Sequence, residues 1–141
     1  MSNPSPSPPR VGVGAFITRR PGQLLLVKRL RAPEAGCWGL PGGKVDFGER
    51  LVETVAREIL EEVGVVIAVG ALICIVDQID LEAGTHWVAP TYRASLIEGE
   101  PVNREPQALE AIGWFGRNDL PSPLTLSARR ALEVLGDAAW I

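Results

Sequence analysis

Three glutamates in the first half of the chain are spaced so that they share one side of a helix. Glu58, Glu61 and Glu62 stand at positions i, i+3 and i+4 of the segment 43–65. Because a helix turns by about 100° per residue, the three carboxylates would lie within roughly 100° of arc. Like charges at this spacing repel one another. A hard divalent cation bound through oxygen ligands is the simplest group that offsets the repulsion.

The same glutamates have a second interpretation, in which they line a helix face that is turned to solvent. Glutamate favours helices, and most glutamates are exposed. An apolar stripe at helical spacing favours a site instead, because it buries one face and leaves the carboxylates at the margin of that face. The stripe consists of Leu51, Val52, Val55, Ile59 and Val63. Gly64 follows as a helix stop signal.

The segment 43–65 resembles the Nudix box, the signature of the Nudix hydrolase family. Every defined position of that box is occupied at the expected spacing, and the run Trp-Gly-Leu-Pro-Gly at 38–42 is similar to the family's lead-in. The matching residues are Gly43, Glu49, Arg57, Glu58, Ile59, Glu61, Glu62, Gly64 and Val65. The resemblance implies an α/β (α+β) fold, the Nudix-type α/β/α sandwich with a mixed sheet. It also implies dependence on Mg²⁺, or Mn²⁺ in its place, and hydrolysis of a diphosphate linked to a nucleoside or a similar group.

Metal ligands are the first group of site residues that follow. Glu58 and Glu62 are the leading ligands, since residues at i and i+4 lie one above the other on a helix. Glu61 is a further ligand, or the base that orients the attacking water. By resemblance, the carbonyl of Gly42 or Gly43 adds an oxygen ligand.

Three further residues are catalytic candidates by resemblance. Arg57 is expected to pair with Glu49, which would hold the preceding loop onto the helix and place Glu49 near the metal. Glu105, in the later polar loop, is similar to a glutamate that some relatives supply to the reaction. Glu110 competes with Glu105 for that role, and either glutamate would be merely solvated if it had no role.

Four residues are assigned to substrate binding. Arg29 ends a strand that would face the site and contact phosphate, although a surface position is equally ordinary for an arginine. Lys44 stands beside the glycines of the box, and Gly43 has no Cβ, so its backbone can approach a ligand closely. Most aromatic residues belong to the core, but one can stack on a base, and we assign Trp87 to that role.

Alternation and turn signals predict the elements that position these residues. Strands are expected at 11–18, 23–29, 65–79, 86–97 and 111–115, and helices at 49–63 and 124–135. Residues 40–43 are expected to form a tight turn, and an irregularity is expected near Gly70. Pro90 places the strand 86–97 at a sheet edge or at a bulge.

Length, charge and cysteine content set the remaining expectations. The 141 residues predict one domain at 10–141 after a disordered Pro/Ser-rich tail at 1–9. A net charge of −3 disfavours binding of nucleic acid polymers or anionic membranes. Cys37 and Cys74 have no spacing typical of a disulfide framework or a zinc site, which suits a reducing cytoplasm. No signal peptide or spanning segment is visible, so a cytoplasmic location is expected. A homodimer, common among Nudix proteins, stays open.

The resemblance leaves three functions to be compared. The leading one is Mg²⁺-dependent hydrolysis of a nucleoside triphosphate to nucleoside monophosphate and pyrophosphate, because residues 103–106 and 121–124 are similar to the MutT-type branch. Residues 113–115 and 119–121 resemble the late strand of the family and the turn into its last helix. The second is hydrolysis of ADP-ribose or another nucleoside diphosphate–X compound. The third is a binding module without catalysis, which the intact charged positions of the box disfavour. The base, the sugar and the leaving group are not specified by these motifs.

Overall fold

A computed structural model describes residues 7–141. It forms one mixed sheet with a helix on each face. The strands are β1 (Arg10–Arg19), β2 (Gln23–Arg29), β3 (Trp38–Gly39), β4 (Gly42–Lys44), β5 (Val66–Asp80), β6 (Thr85–Glu98) and β7 (Leu109–Gly116). The helices are α1 (Leu51–Val63) and α2 (Leu126–Leu135), followed by a 3₁₀ turn at Gly136–Trp140. Most of the predicted tail, residues 1–6, lies outside the described residues.

Strand β1 is central to the sheet and changes its partner along its length. The main path runs β3-β2-β1-β6-β5, with β4 paired to β1 and β7 paired to β2. The β1–β6 pair is parallel and the other pairs are antiparallel. On its other side β1 pairs with β4 at Gly12–Gly14 and with β2 at Thr18–Arg19. Strands β4 and β2 therefore meet β1 at opposite ends, which separates them beside its middle.

Alternating residues of β1 supply the two halves of the core. Ala15 and Ile17 face α1 and Phe16 faces α2, and all three are fully buried, because successive strand residues point to opposite faces. The α1 side is completed by Val55, Ile59 and Val63, and the α2 side by Leu24, Leu26 and Ala131. Each large apolar side chain buried in this way contributes about 1.5–3 kcal/mol of transfer free energy. The two layers confirm the predicted α/β/α sandwich with a mixed sheet.

Helix α1 begins two residues later than the sequence predicts. Glu49 lies before the helix, and the helix starts at Leu51, where the N–H of Arg50 donates to Oε1 of Glu53 at 3.2 Å. The Glu49 carboxylate accepts from the N–H of Asp46 in the preceding loop at 3.1 Å and from the side chains of Thr54 and Arg57. The helix ends as predicted at Gly64, whose φ of 73° is the left-handed conformation that glycine adopts most easily.

The tight turn at 40–43 and the edge position of Pro90 are wrong, and the irregularity near Gly70 is confirmed. Gly42 and Gly43 belong to strand β4 rather than to a tight turn. Strand β6 lies between β1 and β5, so Pro90 is not on an edge strand. The β1–β6 ladder has no pair at Pro90, which is how the sheet tolerates its missing N–H. The pairing of β5 shifts register between Val69 and Leu72, as expected for an irregularity near Gly70.

Candidate active site

A cavity of about 230 Å³ lies where β4 and β2 separate along β1. Residues of these three strands line it together with one residue of α1 and parts of β5 and β6. Six residues that the sequence assigns to the site are among its lining, namely Arg29, Gly42, Gly43, Lys44, Glu62 and Trp87. The structure therefore brings predicted metal-binding and predicted substrate-binding residues to one cavity.

Glu62 is the most constrained of the helix carboxylates. Its side chain is buried, with 7% of its surface exposed, and its Oε1 has no hydrogen-bond partner within residues 7–141. Burial is the main cause that raises the pKa of Glu62 to about 8, and the charges of Glu105 and Glu58 act in the same direction. The backbone N–H of Gly42 and the charge of Arg29 oppose this rise. Glu62 is thus a buried carboxyl group that keeps its proton up to about pH 8, because its negative charge would be incompletely compensated.

Glu58 lies against the backbone of β4. A Cβ added to Gly43 would stand 2.3 Å from Cδ of Glu58, and a Cβ added to Gly42 would stand 1.9 Å from the carbonyl oxygen of Val13. Only glycine permits both contacts. Gly42 and Gly43 are therefore required because Val13 and Glu58 lie so close to them, and not because the backbone turns there. Burial raises the pKa of Glu58, while hydrogen bonding and the charge of Arg57 lower it.

Arg57 connects the loop before α1 to the helix carboxylates. Its Nε donates to Oε2 of Glu49 at 2.5 Å and its Nη2 donates to Oε1 of Glu49 at 2.8 Å. Its Nη1 donates to Glu58 at 3.0 Å and to Glu61 at 3.1 Å. The hydrogen bond from Arg57 is the largest cause that lowers the pKa of Glu49 to about 2. The predicted pairing of Arg57 with Glu49 is therefore present.

The carboxylate and carbonyl oxygens of this site suit a hard divalent cation, although the carboxylates do not converge on one point. Glu61 is half exposed and turned to Arg57, and across residues 7–141 no three acidic, histidine or cysteine side chains converge as metal ligands. Glu58, Glu62 and Glu105 nevertheless repel one another, and Glu62 has an unpartnered buried oxygen. Carboxylate and carbonyl oxygens are the ligands that Mg²⁺ takes. The residues present fit that ion.

The later loop brings Glu105, and not Glu110, to these carboxylates. The loop is tied to the end of α1, since the N–H of Arg104 donates to the carbonyl of Glu62 at 3.0 Å. Asn103 accepts from the N–H of Glu105 at 3.0 Å and donates to the carbonyl of Leu109 at 2.8 Å. Glu110 forms an ion pair with Lys28 at 2.7 Å instead. Of the two competing glutamates, Glu105 is the one whose charge acts on both Glu58 and Glu62.

Trp87 lines the cavity, whereas Trp38, Trp114 and Phe115 lie elsewhere. Trp38 and Phe115 pack edge to face with ring centroids 5.0 Å apart, against the core beneath α2. Trp114 packs on the α1 side, with the Arg19 guanidinium 4.2 Å from its ring centroid. These rings are therefore structural, as aromatic residues usually are.

Four polar residues that line the cavity were not predicted from the sequence, namely Glu34, Gln78, Thr125 and Ser127. Glu34 adopts φ of 59°, and its carboxylate accepts the N–H of Leu126 at the start of α2 at 2.8 Å. Gln78 is paired with Trp87 across β5 and β6. No sequence signal marks Glu34, whereas Gln78 follows from Trp87 once the strand register is known.

Comparison with known proteins gives the class of this protein. The NUDIX domain model matches residues 8–135, so the chain belongs to the Nudix family. With the fold and the box carboxylates in place, this is a Nudix hydrolase. Within residues 7–141, neither helix has the length and apolar character needed to cross a membrane.

Three relatives narrow the comparison. The crystal structure of a MutT NUDIX hydrolase from Burkholderia pseudomallei superposes with a TM-score of 0.86 at 55% identity, covering 92% of this chain and 99% of that one. An ADP-ribose pyrophosphatase of Methanocaldococcus jannaschii is 35% identical over 113 residues, which are 80% of this chain and 65% of the relative. A putative 8-oxo-dGTP diphosphatase 2 of Mycobacterium tuberculosis is 44% identical over 90 residues, 61% of each protein. The chain thus spans less than two thirds of the length of these two curated relatives.

Proposed function

We propose that this Nudix hydrolase is a Mg²⁺-dependent pyrophosphohydrolase of nucleoside triphosphates that releases nucleoside monophosphate and pyrophosphate. The observation that carries the proposal is the buried Glu62 carboxylate, with one unpartnered oxygen, in the wall of a cavity that also holds Arg29 and Lys44. Cationic and anionic side chains around one cavity suit a polyanionic substrate that arrives with a cation.

Similarity favours the triphosphate among the substrates that the class allows. The Burkholderia relative is a MutT NUDIX hydrolase, and the Mycobacterium relative is a putative 8-oxo-dGTP diphosphatase. This chain matches the Burkholderia protein over 99% of the length of that protein at 55% identity. A substrate with a nucleoside and a chain of phosphates is therefore the better-supported choice.

Each group of residues has its own task in this proposal. Glu58, Glu62 and Glu61, with the Gly42 carbonyl, would hold Mg²⁺. When bound, the ion supplies neutralisation of the phosphate charge and makes an attacking water more acidic. Arg29 and Lys44 bind phosphate oxygens through charge-assisted hydrogen bonds.

The hydrolytic step breaks the linkage between the first and second phosphates. Water forms a new bond to one of these two phosphorus atoms as the bond from that phosphorus to the bridging oxygen breaks. The other side leaves with the bridging oxygen, so nucleoside monophosphate and pyrophosphate are the products. Glu105 accepts the proton that the water loses, since it lies in the same carboxylate group as Glu58 and Glu62. Arg57 holds Glu49, and through it the loop that carries β4 towards the helix. Positioning and charge neutralisation account for most of the catalysis in such a step.

The second candidate function is hydrolysis of ADP-ribose or another nucleoside diphosphate–X compound. The observation in its favour is the similarity to the ADP-ribose pyrophosphatase over 80% of this chain. Both candidates use the same box and differ in what lies beyond the second phosphate. The substrate must therefore be decided by measurement.

A phosphate-release screen with Mg²⁺ tests the proposal. Nucleoside triphosphates, ADP-ribose and nucleotide sugars are assayed with and without added inorganic pyrophosphatase, and each reaction is repeated with EDTA. We expect a signal from a triphosphate that requires both Mg²⁺ and pyrophosphatase. A signal from ADP-ribose alone, after treatment with phosphatase, would transfer the assignment to the second candidate.

Two variants connect the expected activity to the site. Glu62→Gln should fold and lose Mg²⁺-dependent turnover, because it removes a buried negative charge without changing the size of the side chain. Glu133→Gln is the matched control, since Glu133 is exposed and, among the residues that the structure describes, pairs with Arg130 of the same helix alone. Equal activity of Glu62→Gln and the wild type would refute the metal role of Glu62.

A further inference from the structure

Gln78 and Trp87 stand directly opposite each other on neighbouring strands. The register of β5 and β6 pairs the two residues, and both line the cavity. Residues that face each other across antiparallel strands have Cβ atoms about 5 Å apart on the same side of the sheet. The Gln78 amide therefore stands beside the Trp87 ring in the cavity wall, where it can meet a ligand.

The Trp87 ring is held against bare backbone. A Cβ added to Gly12 would stand 3.2 Å from Cε3 of Trp87, so the ring rests on a glycine of β1. The Arg10 guanidinium lies 5.8 Å from the ring centroid and limits its movement further. Since Trp87 also contributes to the cavity wall, a flat group in the cavity can stack on an aromatic surface that is already in position.

Trp87 and Gln78 lie at a distance from β4 that a nucleotide can span. Lys44 pairs with Gly12, Arg10 pairs with Trp87, and Trp87 pairs with Gln78, so β4, β1, β6 and β5 follow one another across the sheet. Neighbouring strands are about 4.8 Å apart, which places β5 roughly 14 Å from β4. Lys44 of β4 and Glu62 of α1 line the same cavity as Trp87 and Gln78. A nucleotide with its phosphates at β4 would therefore extend its base towards Trp87 and Gln78.

We propose that Trp87 and Gln78 form the base subsite of this enzyme and that Gln78 selects the nucleobase. Stacking on Trp87 tolerates every base, because each has a π-face. The Gln78 amide offers one acceptor and two donors in one plane, so it favours a base that presents a donor and an acceptor side by side. This assignment rests on the proposed nucleotide-hydrolase function and adds the residue that sets its specificity.

Binding of α,β-methylene analogues of the four common nucleoside triphosphates tests the role of Gln78 without turnover. We expect the wild type to bind the four analogues with different affinities, since a good two-point contact discriminates between bases by roughly 5- to 100-fold. In Gln78→Leu this spread should collapse to less than about twofold, because both amide contacts are lost. Gln78→Glu keeps the size of the side chain but has no donors, so it should reorder the preference. Gln107→Leu, at an exposed glutamine outside the cavity lining, is the matched control.

Fluorescence tests the role of Trp87. A stacked base should quench tryptophan emission in the wild type, and Trp87→Phe should lose most of the quenching that the analogues cause. Trp114→Phe is the control, because Trp114 also lies beside an arginine but outside the cavity. Circular dichroism establishes that each variant is folded. If a variant does not fold, protection of Trp87 from N-bromosuccinimide by the best analogue in the wild type takes its place.

The outcomes separate this inference from the proposed function. A wild type that binds all four analogues equally, a Gln78→Leu variant that keeps the full spread, or unchanged quenching in Trp87→Phe would overturn the assignment. Base-selective binding that depends on Gln78, in a protein that hydrolyses no nucleotide, would instead refute the proposed function and leave the base subsite standing.

Discussion

Arg57 holds Glu49 by two hydrogen bonds across the junction between the box loop and α1. They run from Nε to Oε2 at 2.5 Å and from Nη2 to Oε1 at 2.8 Å, and the Thr54 hydroxyl donates to the same carboxylate at 2.8 Å. A two-point pair of this kind fixes both distance and orientation. The guanidinium is thereby positioned so that its third nitrogen reaches Glu58 and Glu61.

The Arg57–Glu49 pair should give the protein a pH dependence in acid. Its hydrogen bonds lower the pKa of Glu49 from 4.5 to about 2 in the folded state. The stabilisation is present above pH 4.5, where the unfolded carboxyl is also ionised, and is lost as pH falls towards 2. We expect Glu49→Gln to have a lower melting temperature than the wild type at pH 6 and a smaller difference at pH 3. Thermal unfolding followed by circular dichroism measures both.

Glu53→Gln is the control for this series. Glu53 is an exposed glutamate at the start of the same helix. Its Oε1 lies 4.0 Å from Nε of Arg50, which is a long distance for an ion pair. The role given to the Arg57–Glu49 pair would be contradicted if the difference in melting temperature between Glu49→Gln and the wild type stayed constant from pH 6 to pH 3.

Gly43→Ala should displace Glu58. The added methyl would stand 2.3 Å from Cδ of Glu58, so the carboxylate must move away from β4. Misplacement of a catalytic group by about 1 Å costs up to about 100-fold in rate, and we expect kcat/KM to fall by at least about tenfold. Gly116→Ala is the control, since the nearest atom to a Cβ there is Oδ1 of Asp119 at 2.9 Å, the end of a side chain, and the backbone of Gly22 is 4.0 Å away. Unaltered kinetics of Gly43→Ala would mean that Glu58 need not lie where the structure has it.

The box helix and its carboxylates were predictable because their signals are local. The apolar stripe gave the buried face of α1 except at Val52, which is 44% exposed. The spacing of Glu58 and Glu62 placed both on the side that meets β4. Gly64 gave the end of the helix correctly. The start was misplaced because Glu49 bonds to Arg57, eight residues later, and not to the backbone of the first turn.

The features that the sequence did not disclose depend on partners far along the chain. Gly42 is required by the carbonyl of Val13, which only the pairing of β4 with β1 brings near. Gln78 joins the cavity because the β5–β6 register sets it opposite Trp87. A local pattern can show that a glycine or a glutamine is present, but pairing register decides what that residue meets.

Glu105→Gln and Glu110→Gln should show which of these two glutamates accepts the proton in the reaction. Glu105 acts on the pKa of Glu58 and Glu62, whereas Glu110 is paired with Lys28 at 2.7 Å. A general base contributes about 100-fold or more, so kcat should fall by that order in Glu105→Gln and stay near the wild-type value in Glu110→Gln. Steady-state kinetics at saturating Mg²⁺ measure both. The reverse order of effects would assign the proton transfer to Glu110.

Glu62 should make the metal-free protein less stable as pH rises. Below pH 4.5 the carboxyl is protonated in the folded and the unfolded chain alike. Between 4.5 and about 8 the folded chain keeps this proton while the unfolded chain loses it, so the free energy of unfolding falls through this window. Each pKa unit corresponds to about 1.4 kcal/mol, and the full difference therefore amounts to a few kcal/mol.

Glu62→Gln removes this titration and reveals its contribution. In EDTA, the melting temperature of Glu62→Gln should gain on that of the wild type as pH rises from 5 to 8.5, whereas Glu133→Gln should keep a constant difference. Added Mg²⁺ should stabilise the wild type at pH 8 and leave Glu62→Gln nearly unchanged, because the cation offsets the buried charge only where that charge exists. A Glu62→Gln curve parallel to the wild type in EDTA would show that the buried carboxylate does not titrate in this range. Equal stabilisation of both proteins by Mg²⁺ would show that the ion binds without Glu62.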